Sequence, residues 1–235
     1  MTTETKVIGG ISIATILIII GGIFMFNGKV KNPANGDYSQ YIDTGLTLDQ
    51  VKVARDFNPK VQGQPNASST ASSSKITVTE FLDYECPACA TNGEALTKQL
   101  LNTYGDRITI IRKIFPIHGQ GSIESARIVL ASQALGGDAY QKVHAKMFET
   151  QGQWMILGKG DRADFFKKMI TDLGIDYDAL YAESQNKKYE EQIAQDKQDA
   201  TDLGIKATPS FIIGTHTRVT GGLPMDAFAQ YIDIK

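Results

Sequence analysis

The chain contains 235 residues, of which 42% are hydrophobic and 21% are charged, and its formal net charge is −2 at pH 7. This length and composition suit one folded domain with additional segments. The charge balance provides no basic surface of the kind that nucleic-acid binding requires, so we predict no nucleic-acid partner.

The N-terminal region contains an uncharged apolar run at residues 7–26, after a short tail at residues 1–6. At about 1.5 Å per residue, a helix of this length crosses roughly 30 Å of hydrocarbon. We therefore expect an uncleaved, single-pass membrane anchor. The alternative is a cleaved signal peptide, which usually has a shorter apolar core and a small-residue cleavage site.

Residues 27–74 follow the apolar run and are expected to form a stalk and flexible linker. The first part, up to about Asp43, is rich in Asn, Gly, Asp and Ser, and residues 67–74 are almost entirely serine, threonine and alanine. Such segments have few side chains to bury. A short helix is expected within this region at residues 46–57, and the folded domain is expected over residues 75–235.

The β-branched run Ile76–Leu82 predicts the first core strand, with Glu80 on its apolar face because side chains alternate along a strand. A short turn then leads to Cys86 and Cys89, the only two cysteines of the chain. Pro87 is favoured as the opening residue of a helix. Cys86 is therefore predicted at the first helical turn, where free N–H groups and the helix dipole favour a thiolate.

The C-x-x-C spacing predicts a redox-active pair, with Cys86 as the attacking thiol and Cys89 as the resolving thiol. The alternative is half of a zinc site, which needs two further ligands, and the three histidines of the chain form no H-x₃₋₅-H pair. We predict no metal and no cofactor. A paired C-x-x-C without other cysteines suits an oxidising compartment, so the domain is expected outside the cytoplasm.

Glu80 is a candidate catalytic residue because a partly buried acid six residues before Cys86 could take and return the proton of the Cys89 thiol. The alternative is that Glu80 reaches solvent. Arg112 or Lys113 could approach Glu80, although solvated strand ends are the commoner position for such charges. His118, on a loop after the second strand, is a candidate for an effect on the thiolate, and His144 is expected to be packed and hydrogen-bonded.

The pattern between residues 122 and 204 is helical throughout. A helical block between two halves of an α/β sheet is expected if both flanks belong to one domain. Pro209 opens an apolar strand, and because proline cannot donate to a sheet, it marks a first strand residue or a special turn such as a cis bond. The other predicted elements are a helix at 90–104, a strand at 107–115, a hairpin across 211–220 and a last helix opened by Pro224.

Several of these pieces, in this order and spacing, resemble the DsbA-like thiol–disulfide oxidoreductases of the thioredoxin superfamily, particularly the membrane-anchored bacterial and archaeal type. The resemblance extends from about Asn58 to the end of the chain. The pieces that carry it are Asn58–Ala67, the VTEFLDYECPAC segment, Ile114–Ile117, an Ala-rich helix, Leu203–Phe211 and the final hairpin and helix.

The resemblance implies an α/β, thioredoxin-like fold with an inserted helical subdomain at about 122–204. It also implies that Pro209 is a cis-proline facing the disulfide and that Thr208 presents its backbone to a bound cysteine-containing peptide. Glu80 resembles the buried acid of the family. One departure is that the dipeptide between the cysteines is Pro-Ala and lacks the histidine of the strongest oxidants, so strong oxidising power is not implied.

The predicted function is therefore a membrane-anchored thiol–disulfide oxidoreductase that introduces disulfide bonds into cysteine-containing exported polypeptides. It would need a membrane redox partner, which in the resembled family is a quinone reductase. Two alternatives remain open at this stage. One is a reductase or isomerase of the same fold, and the other is a non-catalytic tethered binding module in which Cys86 and Cys89 form a structural disulfide.

Overall fold

A computed structural model describes residues 37–47, 50 and 76–232. The predicted tail, the membrane anchor at 7–26, most of the helix at 46–57 and the serine-rich linker lie outside the described residues. The chain divides into two units after Asp37, and the sheet and helices belong to the unit Tyr38–Lys235. In the part of the chain that is described, no helix combines the length and apolar character needed to cross a bilayer.

One mixed sheet forms the centre of the described structure, with its strands in the order β1-β5-β4-β2-β3. Strand β2 pairs in parallel with β3 and antiparallel with β4, so it occupies an interior position. The strands are β1 (Ile42–Asp43), β2 (Ile76–Leu82), β3 (Ile108–Ile114), β4 (Ser210–Ile213) and β5 (Thr217–Thr220).

The helices follow the predicted order. One α-helix connects the parallel strands β2 and β3, six lie between β3 and β4, and one follows β5. This arrangement confirms the predicted α/β fold with a helical insertion. The helices are α1 (Glu94–Tyr104), α2 (Gln120–Ser132), α3 (Ala139–Glu149), α4 (Gln151–Trp154), α5 (Lys159–Asp172), α6 (Tyr177–Ser184), α7 (Lys187–Asp202) and α8 (Met225–Ala229).

The hydrophobic core joins the end of β2 to the helical insertion. Cys86 and Cys89 belong to the same buried cluster as Leu82 from β2 and as Trp154 and Phe166 from the insertion. Apolar side chains from several elements therefore surround the C-x-x-C turn, and their burial drives the association of these elements. As a result, the cysteines lie at the junction of the sheet and the insertion.

The structure differs from the prediction at residues 42–43, which fall within the predicted stalk and linker at 27–74. Ile42 pairs antiparallel with Val219, and Asp43 forms an ion pair with Arg218 at 2.7 Å, so these residues add an edge strand to the sheet. A two-residue strand is too short to show an alternating pattern, and its partner lies 175 residues further along the chain. Local sequence therefore contains no signal for it.

Lys113 also differs from the expectation of a solvated strand end. Its ammonium group is buried between β3 and α7, at 2.9 Å from Asp196 and 2.5 Å from Asp199. The Ile114 N–H donates to the other oxygen of Asp196 at 2.8 Å. These contacts attach the last helix of the insertion to the sheet through a buried, hydrogen-bonded ion cluster.

We expect Lys113→Met to destabilise the protein by about 3–5 kcal/mol, because removing the cation leaves Asp196 and Asp199 as buried carboxylates without their partner. The free energy of unfolding in urea at about pH 7 provides the measurement. Lys168→Met is the matched control, since its i,i+4 ion pair with Asp172 is exposed and should contribute about 0.5 kcal/mol or less. Equal losses in the two variants would contradict this account.

Candidate active site

The two cysteines lie where β2 ends and a helix begins. The Cys86 N–H closes the turn by donating to the carbonyl oxygen of Asp83 at 3.0 Å. Helical backbone starts at Pro87, continues through a π-helical turn at Cys89–Gly93 and then enters α1. Cys86 therefore directly precedes the first helical residue, next to N–H groups at the start of the helix.

Thr208 and Pro209 lie beside Cys86, although Thr208 is 122 residues away in the sequence. The Cys86 thiol donates to the Thr208 carbonyl oxygen at 3.2 Å, and the peptide bond between Thr208 and Pro209 is cis. Pro209 immediately precedes β4, whose Ser210 pairs with Phe81 in β2. Pairing of the two strands thus brings the proline segment to the cysteines.

Both thiols are free, and their environments favour ionisation of Cys86. A hydrogen bond from the Cys89 thiol has the largest effect and lowers the pKa of Cys86, whereas burial opposes it. Interactions with the Thr208 side chain and with the Cys89 N–H, together with the charge of His118, lower the pKa further, to about 6. Cys86 therefore exists largely as a thiolate at neutral pH.

The environment of Cys89 has the opposite effect. Burial is the main cause that raises the pKa of Cys89 well above its ordinary value, and the hydrogen bond and charge of Cys86 raise it further. The charge of Glu80 also contributes to this increase. Cys89 is 0% exposed and Cys86 is 4% exposed, so the sulfur of Cys86 is the more accessible of the two.

Glu80 is buried at 1% exposure and therefore does not reach solvent. Its Oε2 accepts hydrogen bonds from the Thr97 hydroxyl at 3.2 Å and from Arg112 Nε at 3.3 Å. Burial raises the pKa of Glu80 most strongly, the charge of Arg112 opposes it, and the resulting value is about 7. An acid with this pKa can both accept and release a proton near neutral pH.

Gly93 provides the space in which Glu80 approaches the proline segment. A Cβ atom at Gly93 would lie 2.9 Å from Glu80 Oε1 and 3.4 Å from Pro209 Cβ. The absence of a side chain there lets the π-helical turn pack closely against both residues. All five predicted site residues are thus brought into one region, either directly at Cys86 or through Gly93.

A second carboxylate, Glu94, extends the buried network away from the cysteines. Glu94 Oε1 lies 3.8 Å from Arg112 Nη2 and 2.8 Å from His144 Nε2, and the other ring nitrogen of His144 is 2.8 Å from the Tyr84 hydroxyl. Burial would raise the pKa of Glu94, but the His144 hydrogen bond and nearby charge, including Arg112, lower it to about 2. Arg112 is therefore shared between two carboxylates, Glu80 and Glu94. The packed, hydrogen-bonded position predicted for His144 is confirmed.

A further pair of polar side chains, Asp83 and His118, lies at the cysteine turn. Asp83 Oδ2 accepts the Ile117 N–H at 2.8 Å and the His118 N–H at 3.1 Å, and it is 2.7 Å from His118 Nδ1. The hydrogen bond that the His118 ring donates to Asp83 raises the pKa of His118. The loop after β3 is thereby attached to the cysteine turn, and the charge of His118 is one of the causes that lower the pKa of Cys86.

Sequence analysis did not identify Asp83 or Glu94. The position of Asp83 could have indicated its contact with the loop after β3. Asp83 directly follows β2, and the parallel strand β3 ends at the same edge of the sheet. No comparable signal existed for Glu94, whose partners come from β3 and α3. Among the residues that the structure describes, no group of three or more His, Cys, Asp or Glu side chains is arranged to hold a metal ion.

Comparison with known proteins is consistent with this geometry. A family model described as thioredoxin matches residues 58–234. Disulfide bond formation protein D from Bacillus subtilis is 25% identical over 189 residues, which cover 75% of this chain and 76% of that protein.

Several solved structures share the fold. A thioredoxin-like oxidoreductase from Silicibacter pomeroyi DSS-3 has a TM-score of 0.59 and 24% identity, covering 75% of this chain and 96% of its own. A periplasmic thioredoxin-like protein from Salmonella enterica serovar Typhimurium has a TM-score of 0.60 and 22% identity, covering 79% of this chain and 95% of its own. The thiol-disulfide exchange protein alpha-DsbA2 from Wolbachia pipientis has a TM-score of 0.55 and 22% identity, covering 80% of this chain and 98% of its own.

We expect the reduced protein to show a thiol pKa of about 6, which belongs to Cys86. Cys89→Ala should move this pKa towards the ordinary thiol value, because it removes the hydrogen bond with the largest effect. Cys89→Ser retains a hydroxyl donor and should preserve more of the lowering. Ultraviolet absorbance of the thiolate during a pH titration measures the change. An unchanged pKa in Cys89→Ala would show that this hydrogen bond has no effect.

Glu80→Gln should change how stability depends on pH. The pKa of Glu80 is about 7 in the folded protein against an ordinary value of 4.5, so the folded state holds this proton more tightly. Ionisation of Glu80 therefore lowers the free energy of unfolding of the wild type as the pH rises between these values. We expect the free energy of unfolding of Glu80→Gln, relative to wild type, to increase by about 3 kcal/mol across this window.

Urea unfolding of the reduced protein at several pH values measures the difference. Glu191→Gln is the control, because Glu191 is an exposed residue of α7, and its difference from the wild type should vary little with pH. A Glu80→Gln difference that stays flat from about pH 4.5 to 7 would be inconsistent with a buried, proton-binding Glu80.

Proposed function

The chain belongs to the thioredoxin family of thiol–disulfide oxidoreductases, and we propose that it donates its Cys86–Cys89 disulfide to cysteine-containing exported polypeptides. The observation that carries the proposal is the difference between the two thiols. Cys86 is the more accessible and has a pKa of about 6, whereas Cys89 is fully buried and its pKa is raised. A stabilised thiolate favours the reduced enzyme, which makes the disulfide a better oxidant.

In the first step, a substrate thiolate attacks Sγ of Cys86 in the disulfide. A bond forms between the substrate sulfur and Cys86, the Cys86–Cys89 bond breaks, and Cys89 leaves with the electron pair. Because the pKa of Cys89 is raised, the departing thiolate takes up a proton. Glu80, with a pKa of about 7, is the proposed proton donor.

In the second step, another thiolate of the substrate attacks the substrate sulfur of the mixed disulfide. Cys86 leaves as a thiolate, and its lowered pKa makes it a good leaving group. Two substrate thiols are thereby oxidised to a disulfide, and the enzyme disulfide is reduced to a dithiol. The position of Thr208 and Pro209 beside Cys86 supports their proposed role in binding the substrate backbone.

Turnover requires an oxidant that accepts two electrons from the reduced enzyme, and we propose a membrane redox partner for this role. The uncharged run at residues 7–26 supports a single-pass anchor, and the lone cysteine pair supports a domain outside the cytoplasm. The name of the Bacillus relative, disulfide bond formation protein D, agrees with disulfide donation.

A reductase or isomerase is the second candidate. The observation that favours it is the Pro-Ala dipeptide between the cysteines, which lacks the histidine of the strongest oxidants in the resembled family. In this case the Cys86 thiolate attacks a substrate disulfide, and Cys89 then displaces the reduced substrate. The same lowered pKa serves both directions, so the reduction potential distinguishes them.

We expect the Cys86–Cys89 couple of the full chain, titrated against glutathione in detergent, to have a reduction potential of about −120 to −180 mV. A value of about −250 mV or lower would reject disulfide donation and assign the protein to the reductase class. Cys86→Ser separates catalysis from a purely structural disulfide. It should abolish thiol–disulfide exchange, whereas in a structural role it would mainly lower the stability.

A further inference from the structure

The helical insertion contacts the cysteine turn directly through Gln151, the first residue of α4. The Gln151 Nε2 group donates to the Tyr84 carbonyl oxygen at 2.7 Å and to the Cys86 carbonyl oxygen at 2.9 Å. Gln151 is buried at 6% exposure. A side-chain amide has two N–H donors on this nitrogen, and carbonyl oxygens are acceptors only, so both donors are used by the turn.

The Cys86 carbonyl is also part of the first helical turn. It accepts the Cys89 N–H at 3.1 Å and the Ala90 N–H at 3.3 Å. Gln151 therefore binds the carbonyl that connects Cys86 to the start of the helix. A rotation of this peptide would move Sγ of Cys86 relative to both the Cys89 thiol and the Thr208 carbonyl.

The helical insertion also contacts the side chain of Tyr84, through His144 and Phe148. Burial and the charge of Arg112 lower the pKa of His144 below its ordinary value of 6.5, although the hydrogen bond and charge of Glu94 oppose them, and this direction favours the neutral ring at physiological pH. With Glu94 accepting from Nε2–H, the Nδ1 atom accepts the Tyr84 hydroxyl, and each polar atom of the ring has a partner. The Tyr84 ring also packs on Phe148 of α3, with 4.8 Å between the ring centroids.

We propose that Gln151 is a positioning residue through which the helical insertion sets the redox properties of the dithiol. The proposal rests on the thiol–disulfide chemistry proposed above. Gln151 makes no bond to a reacting sulfur and takes no proton. Its effect comes from two hydrogen bonds that orient the backbone of Cys86 and from the positive end of its amide dipole, which faces the turn and favours a nearby thiolate.

Gln151→Leu tests the proposal, because leucine has a similar volume but no N–H donor. We expect the equilibrium constant for reduction of the disulfide by glutathione to fall about three- to tenfold, where tenfold corresponds to about 30 mV. The pKa of Cys86 should rise in the same variant. Gln153→Leu is the matched control, since Gln153 lies in the same helix with its side chain exposed, and both quantities should stay at their wild-type values.

Both measurements use the full chain, and thermal unfolding of the oxidised and reduced forms is recorded beside them. A purely structural role would lower the stability of both forms equally and leave the glutathione equilibrium and the Cys86 pKa unchanged, which would overturn the proposal. If Gln151→Leu does not fold, Gln151→Met supplies a more flexible side chain of similar length. Failure of both variants to fold would also reject the positioning role.

The result is separable from the proposed direction of electron flow. The reduction potential of the wild type decides between disulfide donation and reduction. The difference between Gln151→Leu and the wild type tests the contact with the insertion, whichever direction the wild type favours. A reducing wild type with a shifted variant would reject disulfide donation and retain the role of Gln151.

Discussion

The antiparallel pairing of β2 with β4 is the interaction on which the rest of the site depends. The pair Phe81 and Ser210 ends this ladder, so the residues that follow β2 and those that precede β4 meet at one edge of the sheet. This places the Thr208 carbonyl 3.2 Å from Sγ of Cys86. The proline segment is itself anchored, because the Gly221 N–H donates to the Pro209 carbonyl oxygen at 2.8 Å.

The electrostatic difference between the cysteines follows from where each sulfur lies relative to this edge. Cys86 stands before the helix, where the Cys89 thiol, the Cys89 N–H and the charge of His118 favour its thiolate. Cys89 lies within the core, where burial and the charge of Glu80 oppose ionisation. Burial and the charge of Glu94 raise the pKa of Glu80, and Arg112 offsets them only in part. Glu80 therefore has a pKa of about 7, whereas Glu94, with a pKa of about 2, remains ionised.

Several features of the site could be predicted from the sequence because they arise within a few residues. The strand at Ile76–Leu82 has the bounds that its β-branched pattern indicated, and Glu80 is buried as alternation along the strand predicted. The expectation for Lys113 was wrong, since its partners Asp196 and Asp199 are 83 and 86 residues away. From the sequence alone, a lysine near a strand end that is buried beside such distant partners cannot be distinguished from one that is solvated.

The sequence by itself determined the spacing of the thiols, the position of Cys86 at a helix start and the face of β2 that carries Glu80, because helix and strand periodicities act over a few residues. Only the tertiary structure decided which polar groups meet. Asp83 meets His118, Glu80 meets Arg112, and the amide of Gln151 meets the carbonyls of the turn. Desolvation and electrostatic interactions depend on distances through space. These distances are set when the sheet pairs and the insertion packs against the cysteine turn.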